Sequence, residues 1–330
     1  MFKKASSASI RNISLIKALC DEGHDVDVLT VKYPDENEDN FLKSFISGHA
    51  KIIQTDLVFL KKYLTNKSAN KNILSSKFNK FFNIIKNIAK VVYFFPDTDK
   101  EWLKSYKNDL PNKSYDLLIT SSDTKTSHFI GYQLKHENRC KSWFQIWGDP
   151  WKDDVNLPYL SKLRAGIKEA SLLKQADIAF YVSPATTVVM QERFKKMQKK
   201  IKFLGRSYLT EIIGRPIGDS QEWVFTYTGS INSSRNISRL IKSIESHNVS
   251  IDDQIKTGKK IRLNIWGHVD EGILKDYKHN RAVYIKGTVD TSLIRDVYKN
   301  SDILVFSDNG SNSSQIPGKL FDYYGTDRPI

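Results

Sequence analysis

Residues 306–330 read FSDNGSNSSQIPGKLFDYYGTDRPI. An apolar run ending at Phe306 gives way to a loop of Gly, Ser and Asn, and Pro317 then opens a helical pattern. Proline is accepted in a first helical turn because its missing N–H would have had no intrahelical partner there. The free N–H groups of such a turn, and the positive end of its dipole, favour a phosphate. Lys319 adds a mobile cation, and Asp322, one turn further on, brings a carboxylate suited to ribose hydroxyls. Open parallel sheets bind ligands beyond the carboxyl ends of their strands, which is where this loop falls. The same pattern also serves as a plain strand–loop–helix junction, and composition alone leaves both readings open.

Working back towards the N-terminus, short β-branched and aromatic runs alternate with longer helical patterns, the signature of parallel βαβ units. Strands are predicted at Val26–Thr30, Lys51–Thr55, Asp116–Ser122, Ser142–Trp147, Ile178–Ser183, Ile201–Leu204, Val224–Gly229, Ile261–Gly267, Val283–Gly287 and Ile303–Ser307. Helices are predicted at Ala8–Glu22, Lys125–His136, Leu157–Lys174, Arg235–Ser246, Thr291–Asn300 and from Pro317 onward. A chain of 330 residues is long for one domain. The breaker-rich stretch Gly205–Ser220 divides it, giving an N-terminal domain over 1–213 and a C-terminal one over 214–330. The start lacks the first strand that a Rossmann-like half would supply, and the end stops as a strand is about to begin. Both ends therefore read as truncated.

The net charge of +14 is uneven: the first 215 residues hold 36 Lys and Arg against 23 Asp and Glu, whereas the remainder holds 15 against 14. The basic half suits nucleic acid, an anionic membrane or a phosphorylated ligand. Two cysteines, Cys20 and Cys140, form no framework and read as reduced thiols of a cytosolic protein. No signal peptide or long apolar span stands out. Scattered histidines, with no HExxH, no DxD pair after a strand and no Gly-x-Ser-x-Gly elbow, give no metal site and no nucleophile.

The string from Gln315 to Ile330 resembles the donor-site segment of the family 4 glycosyltransferases, which have the GT-B fold. Four other stretches resemble that family in matching order. Arg11–Thr30 is similar to its first helix and second strand, and Tyr115–Lys135 with Trp143–Trp151 to its paired strands at the cleft. Gln175–Phe194 is similar to the unit before its hinge, and Phe225–Ile241 to the opening strand and phosphate loop of its donor domain. The resemblance implies two Rossmann-like, doubly wound α/β domains facing a cleft. It implies retaining transfer of a hexose from a nucleoside-diphosphate sugar to an acceptor hydroxyl, with no cofactor beyond that co-substrate. The family's two donor-loop acids map to Ser314, which is not acidic, and to Asp322, which is.

Candidate residues follow from both sources. Gly229 and Ser230 end a strand where backbone can approach phosphate closely. Arg235, at the predicted helix start, either clamps the diphosphate or is a solvated arginine. Lys319 and Gly318 flank the C-terminal loop with Ser314, Gln315 and Asp322. In the first domain the resemblance puts His128 at the cleft as a catalytic candidate, although a lone histidine there also reads as structural. Asp149 orients the acceptor or caps the turn before Pro150. Ser7 and Arg11 occupy a loop where the family has glycines facing the donor.

Lys61–Pro96 holds eight lysines and no acid. Phe78, Phe81, Phe82, Ile85, Ile88, Ala89 and Val92 fall on one helical stripe there, with Lys80, Lys86 and Lys90 opposite. A helix around 76–92 thus suits an in-plane membrane contact with anionic lipid, or a stripe packed on the core. Nucleic acid is disfavoured because the aromatics lie on the stripe rather than among the lysines. The resulting expectation is a cytoplasmic enzyme, peripheral on the inner face of the plasma membrane, acting on a lipid-linked or saccharide acceptor in surface-polysaccharide or glycolipid synthesis. The alternatives are a non-catalytic binding or assembly subunit and a nucleotide-sugar epimerase.

Overall fold

The computed structural model describes residues 1–2, 6–58, 95–122, 124–154, 157–232, 235–255, 257–277, 280–307 and 316–330. The basic segment proposed as a helix around 76–92 lies outside these residues. The chain forms two compact units, Met1–Arg206 and Ser207–Ile330. Each is built on parallel strands with helices in their crossovers, as parallel strands require.

In the first unit the order is α1 (Ser7–Asp21), β1 (Asp27–Lys32), α2 (Asn40–Ser44), β2 (Lys51–Asp56), α3 (Trp102–Ser105), β3 (Tyr115–Ser121), α4 (Thr126–His136), β4 (Cys140–Trp147), α5 (Tyr159–Gln175), β5 (Ile178–Tyr181), α6 (Pro184–Arg193) and β6 (Ile201–Phe203). Strands β1 and β2 form a parallel pair, and β3-β4-β5-β6 form a second parallel sheet in sequence order. Strand β4 carries the core: Trp143 and Trp147 are wholly buried and pack with Trp151, Leu172, Leu173 and Tyr181. Burying such indoles stabilises only if their N–H groups find acceptors. Trp143 Nε1 donates to Thr120 Oγ1 at 2.9 Å and Trp147 Nε1 to Gln145 Oε1 at 2.9 Å. Helix α6 starts where Ser183 accepts from the Thr186 N–H, with Pro184 in the first turn, the residue pattern that opens a helix.

The second unit runs β7 (Trp223–Thr228), α7 (Ser238–Asp252), β8 (Ile261–Trp266), α8 (Glu271–Tyr277), β9 (Val283–Gly287), α9 (Ile294–Lys299), β10 (Ile303–Val305) and α10 (Lys319–Tyr324). Its sheet order is β10-β7-β8-β9, all parallel. The first strand therefore lies inside, with the chain leaving to one side and returning to the other. The apolar stripe of α7, through Ile241 and Ile244, closes over Leu263 and Ile265. Beneath the sheet's other end, Asp302 accepts from the Gly218 N–H at 2.8 Å, the Val224 N–H at 2.7 Å and Arg215 at 2.9 Å. Burial alone would raise that carboxyl, but these donors outweigh it and hold it below the ordinary range.

Several predicted helix starts are corrected, among them Thr291, because α9 begins at Ile294, and Leu157, because α5 begins at Tyr159. Arg235 does not open a helix, because α7 begins at Ser238. The side chains of Asn232 and Asn236 accept from the Arg235 and Ser238 N–H groups, at 3.0 and 2.8 Å. Pro317 likewise precedes the C-terminal helix instead of starting it, and α10 spans six residues from Lys319.

Candidate functional site

In the second unit the sheet order reverses between β7 and β10, so a crevice is expected beyond their carboxyl ends. Strand β7 leaves the sheet through Gly229, whose φ of 148° lies where side chains are disfavoured. Its N–H donates to Trp266 O at 2.8 Å, drawing it against the end of β8. There Gly267, with φ 145°, faces it so closely that an added Cβ would lie 2.1 Å from Gly229 O. Two glycines are thus required for these strand ends to meet. The following residues are tied down as well: Ile231 is wholly buried and its N–H donates to His268 O at 2.8 Å. Ser230 stands exposed between them.

Tyr227, the penultimate residue of β7, is buried, and its hydroxyl donates to Ser230 O at 3.1 Å. Burial pushes this phenol up, and the positive charges of Arg235 and Lys319 pull it back. Both cations therefore act on the same hydroxyl, although 84 positions separate them in the sequence. Arg235 is half-buried in the loop after β7. Lys319 opens α10 and pairs with Asp322 at 3.7 Å.

Helix α10 is locked to the strand ends by Tyr323, which is 1% exposed. The Thr228 N–H donates to the Tyr323 hydroxyl at 3.1 Å, Thr228 Oγ1 lies 2.9 Å from it, and the hydroxyl reaches Val305 O at 3.4 Å. One phenol thus fixes α10 to β7 and β10 together. Gly318 immediately precedes the helix. Because α10 is short, the charge gathered here belongs mainly to the Arg235 and Lys319 side chains rather than to a helix dipole. Ser314 and Gln315 lie outside the described residues. A separate groove of about 580 Å³ runs along α7 and β10, lined by Phe225, Leu240, Val305 and Phe306, and holds none of the candidate residues.

The first unit gathers a second cluster at the ends of β3 and β4. Arg11, buried on α1, donates through Nη2 to Ser121 Oγ at 2.9 Å, and Ser121 Oγ donates to Asn12 Oδ1 at 3.0 Å. Ser122 Oγ accepts from the Gly148 N–H at 2.9 Å, fixing the turn after β4. Lys125 Nζ donates to Ser122 O at 3.1 Å and lies 5.7 Å from the Trp147 ring centre.

His128 is wholly buried in the first turn of α4, its ring 4.2 Å from that of Trp147. Its Nδ1 is 2.7 Å from Thr120 Oγ1. Thr120 Oγ1 also accepts from Trp143 Nε1 and lies 3.5 Å from Phe144 O, so its hydroxyl can either donate to Nδ1 or accept from it. Nε2 has no hydrogen-bond partner. Burial, then the charges of Lys125 and Arg11, hold the imidazole well below its usual pKa, so it is neutral at pH 7.

Asp149 stands at the surface just beyond β4. Its carboxyl is pushed up by desolvation, against the pull of Lys125 and Arg11. None of the described residues donates a hydrogen bond to it, so it does not cap the turn before Pro150. Ser7, the first residue of α1, is exposed, and the helix is capped by Ser6 instead.

The sequence singled out Gly229, Arg235 and Lys319 but missed Tyr227, Gly267 and Tyr323 in one unit and Ser121, Lys125 and Trp147 in the other. Tyrosines inside apolar runs read as core, and only the paired positive φ values distinguish Gly267. Among the described residues no group of His, Cys, Asp and Glu could hold a metal ion.

Two solved structures match the whole length of this chain. A variant of S. aureus TarM in complex with fondaparinux, α-GlcNAc-glycerol and UDP matches at TM-score 0.56 and 11% identity, over 100% of this chain and 83% of that one. The apo lipopolysaccharide outer core galactosyltransferase WaaB matches at TM-score 0.50 and 13% identity, over 100% and 79%. The fold is that of GT-B glycosyltransferases. The pneumococcal O-GlcNAc transferase GtfA, in complex with UDP and GlcNAc, matches at TM-score 0.43 and 11% identity over 70% of this chain, which spans only 45% of GtfA. No protein-family model and no curated protein matches the chain.

Proposed function

We propose that the protein is a glycosyltransferase that moves a hexose from a nucleoside-diphosphate sugar to an acceptor hydroxyl, with retention and without a metal. The observation that carries this reading is the close meeting of Gly229 and Gly267 at the strand ends where the sheet order reverses, with Arg235 in the loop after β7 and Lys319 at the start of the helix that Tyr323 fastens to β7. A diphosphate placed there would meet a guanidinium able to grip two oxygens and an ammonium acting as a point charge. Glycosyl transfer leaves negative charge on the departing nucleoside diphosphate. Fixed cations stabilise that charge as it develops, which is electrostatic catalysis. Asp322, half-buried on the same helix, is the group for the ribose or sugar hydroxyls. The UDP in the TarM complex supports uridine diphosphate as the first nucleotide to try.

The Arg11, Lys125, His128 and Asp149 cluster is the proposed acceptor side. Its imidazole is neutral and adds no charge to that side. The acceptor is proposed to be lipid-linked, in surface-polysaccharide or glycolipid assembly on the cytoplasmic face of the plasma membrane. No helix of the described residues is long and apolar enough to cross a membrane, so contact with the bilayer would be peripheral.

Isothermal titration with UDP and UDP-hexoses tests the assignment. Removing both cations in Arg235→Ala/Lys319→Ala should weaken binding by roughly 100-fold or more, since each charge-assisted contact is worth about 1.5–3 kcal/mol. Unchanged affinity would sink the proposal. Donor incubated without acceptor should give slow hydrolysis, and formation of an epimer would reassign the chemistry.

A further inference from the structure

Helix α5 buries one side and leaves an apolar stripe on the other. Ser161, Ala165, Glu169, Leu172 and Leu173 face the core. On the outer side Tyr159, Leu160, Leu163 and Ile167 are 75, 74, 44 and 70% exposed. At about 100° per residue these four fall within one arc of the helix, opposite the buried set. Scattered exposed apolar residues need no explanation, but a contiguous stripe marks a contact surface.

The charges around the stripe indicate what it contacts. Arg164 and Lys168, both exposed, border it on one side. On the other, the stem of exposed Lys152 lies along Gly166, where an added Cβ would meet Lys152 Cδ at 3.1 Å. Glu169 is the one acid of the helix, and it is turned fully inward, accepting from the Trp151 N–H at 2.9 Å and the Lys152 N–H at 3.4 Å. The exposed face of α5 therefore carries apolar side chains flanked on both sides by cations and no carboxylate.

We infer that this face docks on an anionic lipid surface. Leu160, Leu163 and Ile167 enter the boundary between headgroups and acyl chains, and Tyr159 sits at headgroup level with its hydroxyl in water. Lys152 and Lys168 keep their charged ends among lipid phosphates while their stems stay along the apolar stripe, and the Arg164 guanidinium, 3.9 Å from the Phe95 ring centre, adds its charge at the border. A second copy is a poorer occupant, because a two-fold contact would set these cations against their own kind. The inference rests on the first unit alone and is independent of the nucleotide site. It also differs from the contact expected of residues 76–92.

Co-sedimentation of the full chain with vesicles tests it. Vesicles of equal parts phosphatidylglycerol and phosphatidylcholine should bind the protein, and pure phosphatidylcholine should bind it at least tenfold more weakly. Leu163→Glu/Ile167→Glu and Lys152→Glu/Lys168→Glu should each lower partitioning onto the anionic vesicles by tenfold or more. Circular dichroism and UDP titration in solution should be unchanged, since the replaced side chains are exposed and belong to a different unit from Arg235 and Lys319. Wild-type partitioning by the apolar variant would overturn the inference, as would failure of the parent chain to bind. A concentration-dependent dimer in sedimentation equilibrium, abolished by Leu163→Glu/Ile167→Glu, would overturn it in favour of a second copy.

Discussion

Replacing Tyr323 by Phe removes one oxygen from a wholly buried site and should loosen α10. That oxygen accepts the Thr228 N–H at 3.1 Å and exchanges a hydrogen bond with Thr228 Oγ1 at 2.9 Å. The threonine hydroxyl retains a longer contact with Tyr298 at 3.3 Å, whereas the backbone N–H loses the partner it has in the phenol. Leaving one buried donor unsatisfied costs about 1–3 kcal/mol. With the longer hydroxyl contact retained, about 2 kcal/mol is expected, roughly a 30-fold change in an opening equilibrium. Native-state hydrogen exchange, read by mass spectrometry on peptides covering 316–330, resolves this locally without assuming that both units unfold together. Protection of the α10 amides should fall by about that factor, while peptides of the first unit keep theirs. Because Lys319 and Asp322 ride on this helix, UDP affinity should fall in the same variant. Parental protection of α10 in Tyr323→Phe would refute the idea that this phenol fastens the helix.

Two further outcomes follow from the geometry. Gly267→Ala places a methyl 2.1 Å from Gly229 O and forces a positive φ on a side-chain residue, so it should destabilise the second unit by more than about 3 kcal/mol in urea unfolding. A parental urea midpoint would show that the two strand ends separate freely. Asp99 is raised to about 6, first by burial and then by the neighbouring Asp97 charge. Its native form thus holds a proton that the unfolded chain releases, and stability should fall as pH rises from about 4 to 6 and stay lower above. Asp99→Asn keeps the acceptor for Tyr33 and should flatten that slope, gaining about 1–3 kcal/mol at pH 7.5. An Asn variant less stable than the parent at pH 7.5 would contradict this.

All ten described strands were legible because buried parallel strands are written as short apolar runs with little alternation. The Trp143–Trp147 segment is the clearest of them. Helix starts were less legible. The Asn232 and Asn236 side chains accept from the Arg235 and Ser238 N–H groups, and the helix predicted from Arg235 begins at Ser238. Asn40–Ser44, Trp102–Ser105 and Glu271–Tyr277 are too short to show a helical period and passed unseen. At the candidate site, glycine and cation chemistry pointed to Gly229, Arg235 and Lys319. What brings α10, and Lys319 on it, to the end of β7 is the return of the chain from β9 across to β10. That long-range step leaves no local mark in Tyr227 or Tyr323.

The Lys319–Asp322 pair has a thermodynamic meaning beyond charge balance. At 3.7 Å and with the lysine 39% exposed, it is a weak tether that any phosphate oxygen can replace. Yet it keeps a long side chain, which would otherwise sweep through many rotamers, parked over α10. The rotamer entropy of a lysine, up to about 2 kcal/mol, is thereby partly lost before an anion arrives. A nucleotide captured here should therefore bind with a smaller entropic penalty than one caught by a freely moving lysine. Asp322→Ala would shift the balance of binding entropy as well as its strength.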